Sequence, residues 1–303
     1  MPAITEPAPA KINLALHVRR RRPDGYHDLE TLFAFATDGD IITVEVANTN
    51  SFTITGPFAA ALLPPPNTTP ANAGAKLGTA NDEARRASNA PWQGNLVTAA
   101  ADAFTATFAP DTYHAITLEK HLPIASGIGG GSADAAATLR AMARLHGIAA
   151  TDPHLHEIAA KLGADVPACL ANRTTLGTGK GDTLTNLDGL SGTPLLLVNP
   201  GVAVSTAAVF KAWDGQDRGP IPEGDLLDRA KAGRNDLEPP ALALAPVIAD
   251  VRTLLDAADG VLLSRMSGSG ATCFALFDTL QARNTAAIAA EGEGWWTLAS
   301  TLA

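Results

Sequence analysis

The first part of the chain alternates between apolar and polar residues, which is the pattern of β-strands. Residues 11–19 follow this period of two, and residues 29–35 repeat it after turn-forming residues at 23–25. The two runs therefore predict a β-hairpin. Shorter alternating runs over 41–46 and 52–55 predict that an antiparallel sheet continues beyond the hairpin.

The remainder of the chain mixes helical and strand patterns. Apolar residues at helical spacing predict helices over 95–108 and 132–146, with an alternating strand over 113–119 between them. A capping residue followed by proline predicts a further helix that begins near 151–153 and ends near Leu162. The later predicted elements are a strand over 194–199, helices over 206–213, 245–257 and 280–290, and strands over 261–264, 272–277 and 296–299. We therefore predict an α+β protein with two domains, over residues 1–190 and 194–303.

Residues 57–94 follow neither pattern. They contain three consecutive prolines at 64–66, many Ala and Asn residues, and little periodicity. This composition is typical of a connecting insertion rather than of a packed element. We predict a long insertion with at most one short helix near 82–87, and we place no site residue in it.

Composition and charge limit the classes of ligand and location. Hydrophobic residues make up 46% of the 303 residues, which is enough apolar surface to fold. An excess of 31 acidic over 22 basic side chains gives a net charge of -9, which argues against binding to a nucleic-acid polymer or an anionic membrane. The two cysteines, Cys169 and Cys273, lie far apart, so we expect neither a disulfide framework nor a zinc site. We therefore expect a cytoplasmic protein. No apolar run approaches the roughly 18 residues of a membrane span.

Two segments rich in small residues are candidates for ligand binding. Residues 127–132 hold four glycines in their first five positions, and they lie after a predicted strand at the start of a helix. Successive backbone N–H groups at a helix start can bind phosphate oxygens, although a flexible loop is the alternative. The segment matches neither the Walker A loop nor the Rossmann fingerprint. Residues 267–270 are a hairpin connection, or a second loop that packs against the same anion.

Lys11, Asn13 and Asp165 are candidates for polar chemistry. Lys11 and Asn13 lie two residues apart on one face of the predicted strand, which is a shared site or a solvated outer face. Asp165 lies in an apolar segment, so its carboxylate is either a structural cap or a catalytic group with a cationic partner. The histidines lack the spacing of metal ligands, and we assign no ligand role to His114, His121, His154 or His156.

Seven short motifs resemble those of the GHMP kinases, a family that includes galactokinase, homoserine kinase and mevalonate kinase. The glycine-rich run PIASGIGGGSADAAA at 123–137 is similar to the family signature. Six further runs of this chain resemble, in the same order, motifs of one group within the family. That group phosphorylates 4-diphosphocytidyl-2-C-methyl-D-erythritol, a cytidyl-linked polyol. The six runs are PAKINL at 9–14, RPDGYHDLET at 22–31, LGADVP at 162–167, PGV at 200–202, NDLE at 235–238 and SGSGA at 267–271.

The resemblance implies a fold, a reaction and two catalytic residues. The implied architecture is a two-domain GHMP kinase fold, with a ribosomal S5 domain 2-like N-terminal ATP-binding domain and a ferredoxin-like C-terminal domain. The implied reaction moves the γ-phosphoryl group of ATP to the 2-hydroxyl of the polyol, giving the 2-phosphate and ADP, in isoprenoid precursor biosynthesis by the non-mevalonate pathway. Asp165 is then the expected general base, and Lys11 is the cation that keeps it ionised and offsets charge on the transferred group.

The resemblance also implies the residues of two binding sites. ATP and Mg²⁺ are the implied co-substrate and cofactor, and Ser132 is the implied contact to Mg²⁺ or to a phosphate oxygen. The implied ATP-binding residues are Asn95, Pro123, Ile124, Ala125, Ser126, Gly127, Ile128, Gly129, Gly130, Gly131, Ser132 and Ala133. The implied substrate-binding residues are Asn13, Tyr26, His27, Thr206 and Phe210. Among the latter, Tyr26 and Phe210 are expected to stack on either side of the cytosine, while His27 contacts its polar edge.

Two alternative functions stay open. One is a GHMP kinase that acts on another small alcohol, such as homoserine or a mevalonate derivative, and the other is a non-catalytic nucleotide-binding module. Tyr26 and His27 favour the cytidyl substrate over the first, and the presence of both Lys11 and Asp165 favours an enzyme over the second. Gly-Lys-Gly-Asp at 179–182 stands where the family usually has Gly-x-Gly-Glu, which leaves the role of Asp182 open. We expect small-molecule substrates only, and a monomer or a homodimer.

Overall fold

The computed structural model describes residues 2–62 and 94–303. Most of the predicted insertion, including its predicted helix near 82–87, lies outside these residues. Inside them, the insertion begins with a short 3₁₀ turn at Ala59–Ala61.

A six-stranded sheet forms the first half of the fold. Its strands are β1 (Ile4–Arg21), β2 (His27–Ala47), β3 (Ser51–Thr55), β4 (Tyr113–Glu119), β5 (Thr175–Gly179) and β6 (Thr183–Asn186). The predicted hairpin is confirmed as β1 and β2, which pair antiparallel from end to end. Strand β2 is one long strand. It pairs with β1 along one side, and different parts of its other side pair with β4 and β5.

One prediction about this sheet is wrong. The run at 52–55 forms β3, but β3 pairs parallel with β4 and not antiparallel. The reason is the long connection between these two strands, which includes a helix and so returns the chain in the same direction. Residues 175–186, which carry no strand prediction, form the short hairpin of β5 and β6.

Four helices pack near the first sheet. They are α1 (Leu96–Phe108), α2 (Gly130–His146), α3 (Pro153–Leu162) and α4 (Val166–Ala171). Helix α2 contacts both β1 and β2 through a face of small residues, among them the fully buried Ala135 and Ala136, and so approaches the sheet closely. Its N-terminus begins at Gly130, two residues before the predicted start, because Gly129 adopts a left-handed cap conformation.

The second half of the fold confirms the ferredoxin-like prediction. Strands β7 (Pro194–Asn199), β8 (Val261–Met266), β9 (Cys273–Phe277) and β10 (Trp296–Thr301) form an antiparallel sheet in the order β10-β7-β9-β8. Helices lie between β7 and β8 and between β9 and β10, which is the β-α-β-β-α-β arrangement. They are α5 (Thr206–Ala212), α6 (Leu226–Ala232), α7 (Glu238–Leu244), α8 (Val247–Asp256) and α9 (Leu280–Gly292).

The two sheets share a hydrophobic core. Ile12 and Leu14 of β1 pack in one buried cluster with Leu195 and Leu197 of β7. Buried Arg265 of β8 adds hydrogen bonds to the carbonyl oxygen of Leu14 and to two carbonyls at the end of α6. The interval between β6 and β7 contains the predicted division at 190–194, which stays a prediction as a domain boundary.

The contact between buried His114 and half-buried His146 predicts that acid destabilises the fold. Their Nε2 atoms lie 2.8 Å apart, and burial together with the charge of His146 lowers the pKa of His114 from 6.5 to about 4. Burial also lowers the pKa of His146. Because the unfolded chain then binds protons more readily, stability should be complete above the ordinary histidine pKa and decrease as the pH falls toward the lowered one.

Melting temperatures measured by calorimetry at about pH 7 and about pH 5 test this expectation. The melting temperature of the native chain should be lower at the acidic pH. His114→Gln keeps a polar side chain without a titrating ring, so its melting temperature should decrease less. An equal decrease in both proteins would contradict the assignment.

Candidate active site

Strand β1 carries Lys11 and Asn13 into the interior of the protein. Lys11 is 4% exposed and Asn13 1%, so the alternative of a solvated outer face is wrong. The pairing of β1 with β2 shifts register between Pro9 and Lys11 and again between Asn13 and Ala15. Such irregularities re-aim side chains, and Lys11 Nζ donates a hydrogen bond of 3.1 Å to Asn13 Oδ1.

The amide of Asn13 has a fixed orientation. Its Nδ2 donates to Thr31 Oγ1 at 2.7 Å, and the Thr31 hydroxyl donates to the Ala15 carbonyl at 2.9 Å. These bonds direct Asn13 Oδ1 toward Lys11. The two polar side chains therefore form one rigid unit on the strand.

Asp165 completes an ion pair with Lys11. It stands just before α4 at a helix N-cap position, yet its side chain makes no capping hydrogen bond. Its Oδ2 instead lies 3.1 Å from Lys11 Nζ. Of the two alternatives for this carboxylate, the structure favours a group with a cationic partner over a structural cap. The Asp165 side chain is 39% exposed, so it is open to a ligand while Lys11 is covered.

The glycine-rich segment passes over two lysines on its way into α2. A Cβ atom on Gly129 would lie 3.0 Å from Lys11 Cε, and one on Gly130 would lie 3.1 Å from Lys120 Nζ. Both Gly127 and Gly129 have positive φ angles, of 76° and 66°. Glycine is required here because a side chain would meet both a strained backbone and a close neighbour.

The second small-residue loop packs against the first, and it also connects two strands. Residues 267–270 join β8 to β9, which confirms the hairpin connection, while their contact with an anion stays a prediction. The Ser267 hydroxyl donates to the Gly127 carbonyl at 3.0 Å and accepts from the Asn13 backbone N–H at 3.3 Å. The Thr272 N–H donates to the Ser126 carbonyl at 3.1 Å. The two loops and β1 are thereby joined at one point.

A buried charge cluster lies beneath the glycine-rich loop. Lys120 Nζ contacts Asp40 Oδ2 and lies 2.8 Å from Asp134 Oδ2. Burial opposes the charge on Lys120, but the two carboxylates raise its pKa. Burial raises the pKa of Asp134 to about 8, against the attraction of Lys120. Asp40 Oδ1 accepts backbone N–H bonds from residues 121 and 122, and so ties the cluster to the chain that leads into the loop.

A cavity of about 400 Å³ brings these groups together. Most predicted site residues line it: Lys11, Asn13, Asn95, Pro123, Ile124, Ala125, Ser126, Gly127, Gly129, Gly130, Gly131, Ser132, Asp165, Thr206 and Phe210. Ile128 and Ala133 do not line it, because their side chains are buried in the core. Both belong to the same backbone segment, so they support the loop from behind.

Tyr26 and His27 also lie outside the lining of this cavity. The His27 ring packs against Phe210, with 4.9 Å between ring centroids, and so occupies one of the positions expected for a stacking partner. Tyr26 is 55% exposed, and its ring centroid lies 4.9 Å from Lys180 Nζ. His27 thus contacts Phe210, and Tyr26 instead lies beside Lys180.

Five polar lining residues are not among the site residues predicted from the sequence. They are Thr31, Lys120, Asp134, Lys180 and Ser269. The Ser269 hydroxyl lies 2.9 Å from that of Thr206, and Asp134 Oδ1 is buried without a hydrogen-bond partner. A carboxylate within the alanine-rich run at 133–137 is the signal that could have found Asp134. Lys120 stands between Glu119 and His121, so no local pattern singles it out or identifies the partner Asp40.

Across 2–62 and 94–303, no group of three or more His, Cys, Asp or Glu side chains is arranged to hold a metal ion. Cys169 and Cys273 are both free and buried. None of the helices described in these two ranges has the length and apolar character needed to cross a membrane.

Comparison with known proteins shows the family. Residues 95–173 match the N-terminal domain of GHMP kinases, and residues 221–291 match the C-terminal domain. A relative from Rhizorhabdus wittichii, named 4-diphosphocytidyl-2-C-methyl-D-erythritol kinase, is 52% identical over 98% of this chain and 94% of its own length. The chain belongs to the 4-diphosphocytidyl-2-C-methyl-D-erythritol kinase family. This confirms the resemblance found in the motifs.

Solved structures agree with this membership in the kinase family. A crystal structure of 4-(cytidine 5'-diphospho)-2C-methyl-D-erythritol kinase is 32% identical, covers 98% of both chains and superposes with a TM-score of 0.76. A homoserine kinase from Cytophaga hutchinsonii has a TM-score of 0.71 at 19% identity, over 99% of this chain and 95% of its own. At that identity the likeness shows a shared GHMP kinase fold alone.

The charge cluster predicts a large cost for removing Lys120 from this kinase. Lys120→Met would leave two carboxylates buried beside each other without a cation. We expect the free energy of unfolding to decrease by about 3–5 kcal/mol, as measured by urea denaturation. Lys161→Met, at an exposed position of α3, is the matched control and should leave the value nearly unchanged. A similar small change in both variants would show that the cluster does not stabilise the fold.

Proposed function

We propose that this kinase transfers the γ-phosphoryl group of ATP to the 2-hydroxyl of 4-diphosphocytidyl-2-C-methyl-D-erythritol, giving the 2-phosphate and ADP. The ion pair between Lys11 and Asp165, in the cavity beside the glycine-rich loop, is the observation that carries this proposal. It places a carboxylate and an ammonium group next to a backbone suited to phosphate oxygens. The sequence of the relative from Rhizorhabdus wittichii matches this chain along nearly its whole length.

Asp165 is proposed as the general base. Its carboxylate is partly exposed to the cavity and can accept the proton of the substrate hydroxyl as that oxygen attacks the γ-phosphorus. Lys11 holds this carboxylate in place at 3.1 Å, and its ammonium offsets negative charge on the transferred group. Asn13 fixes the position of Lys11 from the other side. Phosphoryl transfer depends on such positioning more than on covalent chemistry.

The segment from Pro123 to Ala133 is proposed to bind the phosphates of ATP. Its glycines let backbone N–H groups approach the phosphate oxygens, and the N-terminus of α2 adds a partial positive charge. Asn95, at the start of α1, lines the same cavity and is proposed to contact the nucleotide. Ser132 offers a hydroxyl oxygen in the first turn of α2, a ligand type that suits Mg²⁺ bound to phosphates. Bound Mg²⁺ neutralises charge on the phosphates.

Residues around Phe210 are proposed to bind the cytidyl group. Phe210 and Thr206 line the cavity on the side of α5. Burial lowers the pKa of His27, so its neutral ring can contact the polar edge of the base beside Phe210. Tyr26 is proposed to stack on the other face of the cytosine when the substrate binds. Stacking on aromatic side chains contributes roughly 1–3 kcal/mol per base.

The cellular setting of the kinase is also a proposal. We infer that its substrates are small molecules, that it acts in the cytoplasm, and that it is a monomer or a homodimer without nucleic-acid partners. The net charge of -9 supports the exclusion of nucleic-acid polymers.

The role of Asp165 predicts the effect of its amide variant. Asp165→Asn removes the proton acceptor and keeps the shape, so kcat should fall by about 100- to 10,000-fold. The dissociation constant of ATP, measured by calorimetry, should remain close to that of the native enzyme. Asp250→Asn on α8 is the control at an exposed acidic position. Turnover near the native value would remove Asp165 from the role of base.

A substrate panel tests the proposed reaction itself. Release of ADP should be fast with 4-diphosphocytidyl-2-C-methyl-D-erythritol and close to background with homoserine or mevalonate. Chelating Mg²⁺ should abolish the signal. Turnover of homoserine or mevalonate at comparable kcat/KM would overturn the proposed substrate.

A further inference from the structure

Three lysines line the cavity, and their surroundings differ. Lys11 and Lys120 are buried, and each lies within about 3 Å of a carboxylate oxygen. Lys180 is 35% exposed, and its carboxylate partner, Asp182 Oδ2, lies 3.7 Å away. Lys180 is therefore the lining lysine whose charge is most available to a ligand.

The β5–β6 hairpin holds Lys180 at the edge of the cavity. Gly179 and Gly181, on either side of it, both have positive φ angles, and the Lys180 N–H donates to Asp182 Oδ1 at 3.2 Å. Beneath the hairpin, the Phe33 ring leaves no room for a side chain at Gly177, where a Cβ atom would lie 2.7 Å from it. The turn is thus packed in place, and it presents the lysine to the cavity.

Lys180 also lies beside the residues proposed to bind the cytidyl group. Its ammonium nitrogen is 4.9 Å from the centroid of the Tyr26 ring, which is within the range of a cation–π contact. It lines the same cavity as Phe210 and Thr206. If a base stacks on Tyr26, a phosphate on the ribose of the same nucleotide lies within reach of this ammonium group.

The proposed substrate carries such a group, since a diphosphate joins its cytidine to its polyol. We propose that Lys180 binds the diphosphate of the cytidyl substrate and makes the enzyme prefer cytidine diphosphate compounds over those with one phosphate or none. This inference rests on the proposed function. The 3.7 Å contact with Asp182 Oδ2 is loose enough to leave the ammonium free to contact a phosphate oxygen.

Competition by cytidine, CMP and CDP against the cytidyl substrate tests the proposal. With the native enzyme, inhibition should strengthen from cytidine to CMP to CDP. Lys180→Met should raise the KM for the cytidyl substrate by about tenfold, remove most of the advantage of CDP, and leave kcat and the KM for ATP close to native. Lys180→Arg keeps the charge and should retain most of the preference.

Two further variants serve as controls. Lys161→Met removes an exposed lysine elsewhere and should have no effect on any of these values. Asp182→Asn keeps a side-chain oxygen that can accept from the Lys180 N–H, but it removes the carboxylate charge that competes with phosphate for the Lys180 ammonium. Its KM for the cytidyl substrate should therefore equal or fall below the native one. An unchanged CDP preference in Lys180→Met would overturn the role of Lys180. Failure of the native enzyme to release ADP with the cytidyl substrate would instead overturn the proposed function, so the two failures are distinct.

Discussion

The contact between two small-residue loops sets the geometry of the whole site. A Cβ atom on Gly127 would lie 2.4 Å from the carbonyl oxygen of Ser267, so the two backbones touch with no space for a side chain. The Ser267 hydroxyl then bridges the Gly127 carbonyl and the backbone N–H of Asn13. Together with the bonds from Thr272 N–H to Ser126 and from Lys11 N–H to Ile128, this hydroxyl ties the glycine-rich segment to the strand that carries Lys11 and to the second sheet.

Burial of charge is the second constraint, and it explains how an acidic protein can bind nucleotides. The groups proposed to contact negative ligands are the backbone N–H groups of the glycine-rich segment, the N-terminus of α2 and lysines at the cavity, and not a basic surface. Lys11 and Lys120 are each held by carboxylates that keep them in position inside the fold. Removing one member of such a cluster leaves the others buried without a partner, so these positions contribute to the stability of the fold around the cavity.

Local patterns predicted most elements, because their signals lie within a few residues. The alternation of β1, the helical spacing of α1 and the glycine-rich entry to α2 each depend on nearby residues alone. The parallel pairing of β3 with β4 could not be predicted from nearby residues, because it depends on the direction in which the chain enters β4 after a long connection. The short hairpin of β5 and β6 has a glycine-rich sequence and depends on packing against Phe33.

Site residues that belong to a family motif could be predicted from the sequence. Contacts between side chains from distant segments could not. Lys11 and Asp165 stand 154 positions apart, and family motifs connected them. Asp40 lies in β2, Lys120 directly after β4 and Asp134 in α2, and nothing local in the sequence pairs them. The contact of His27 with Phe210 likewise depends on how α5 lies against β2, which no periodicity specifies.

The bridge between Asn13 and Ser267 also has a consequence for biosynthesis. Domains often begin to fold during translation, N-terminal part first. The strand with Lys11 leaves the ribosome early, and its Lys11 N–H donates to the Ile128 carbonyl at 3.0 Å, but the hydroxyl that bridges Asn13 to Gly127 comes from Ser267, well after both. A nascent chain that ends before β8 thus carries both proposed catalytic side chains without this bridge. Catalytic competence should therefore appear late in synthesis, after the first sheet has had time to form.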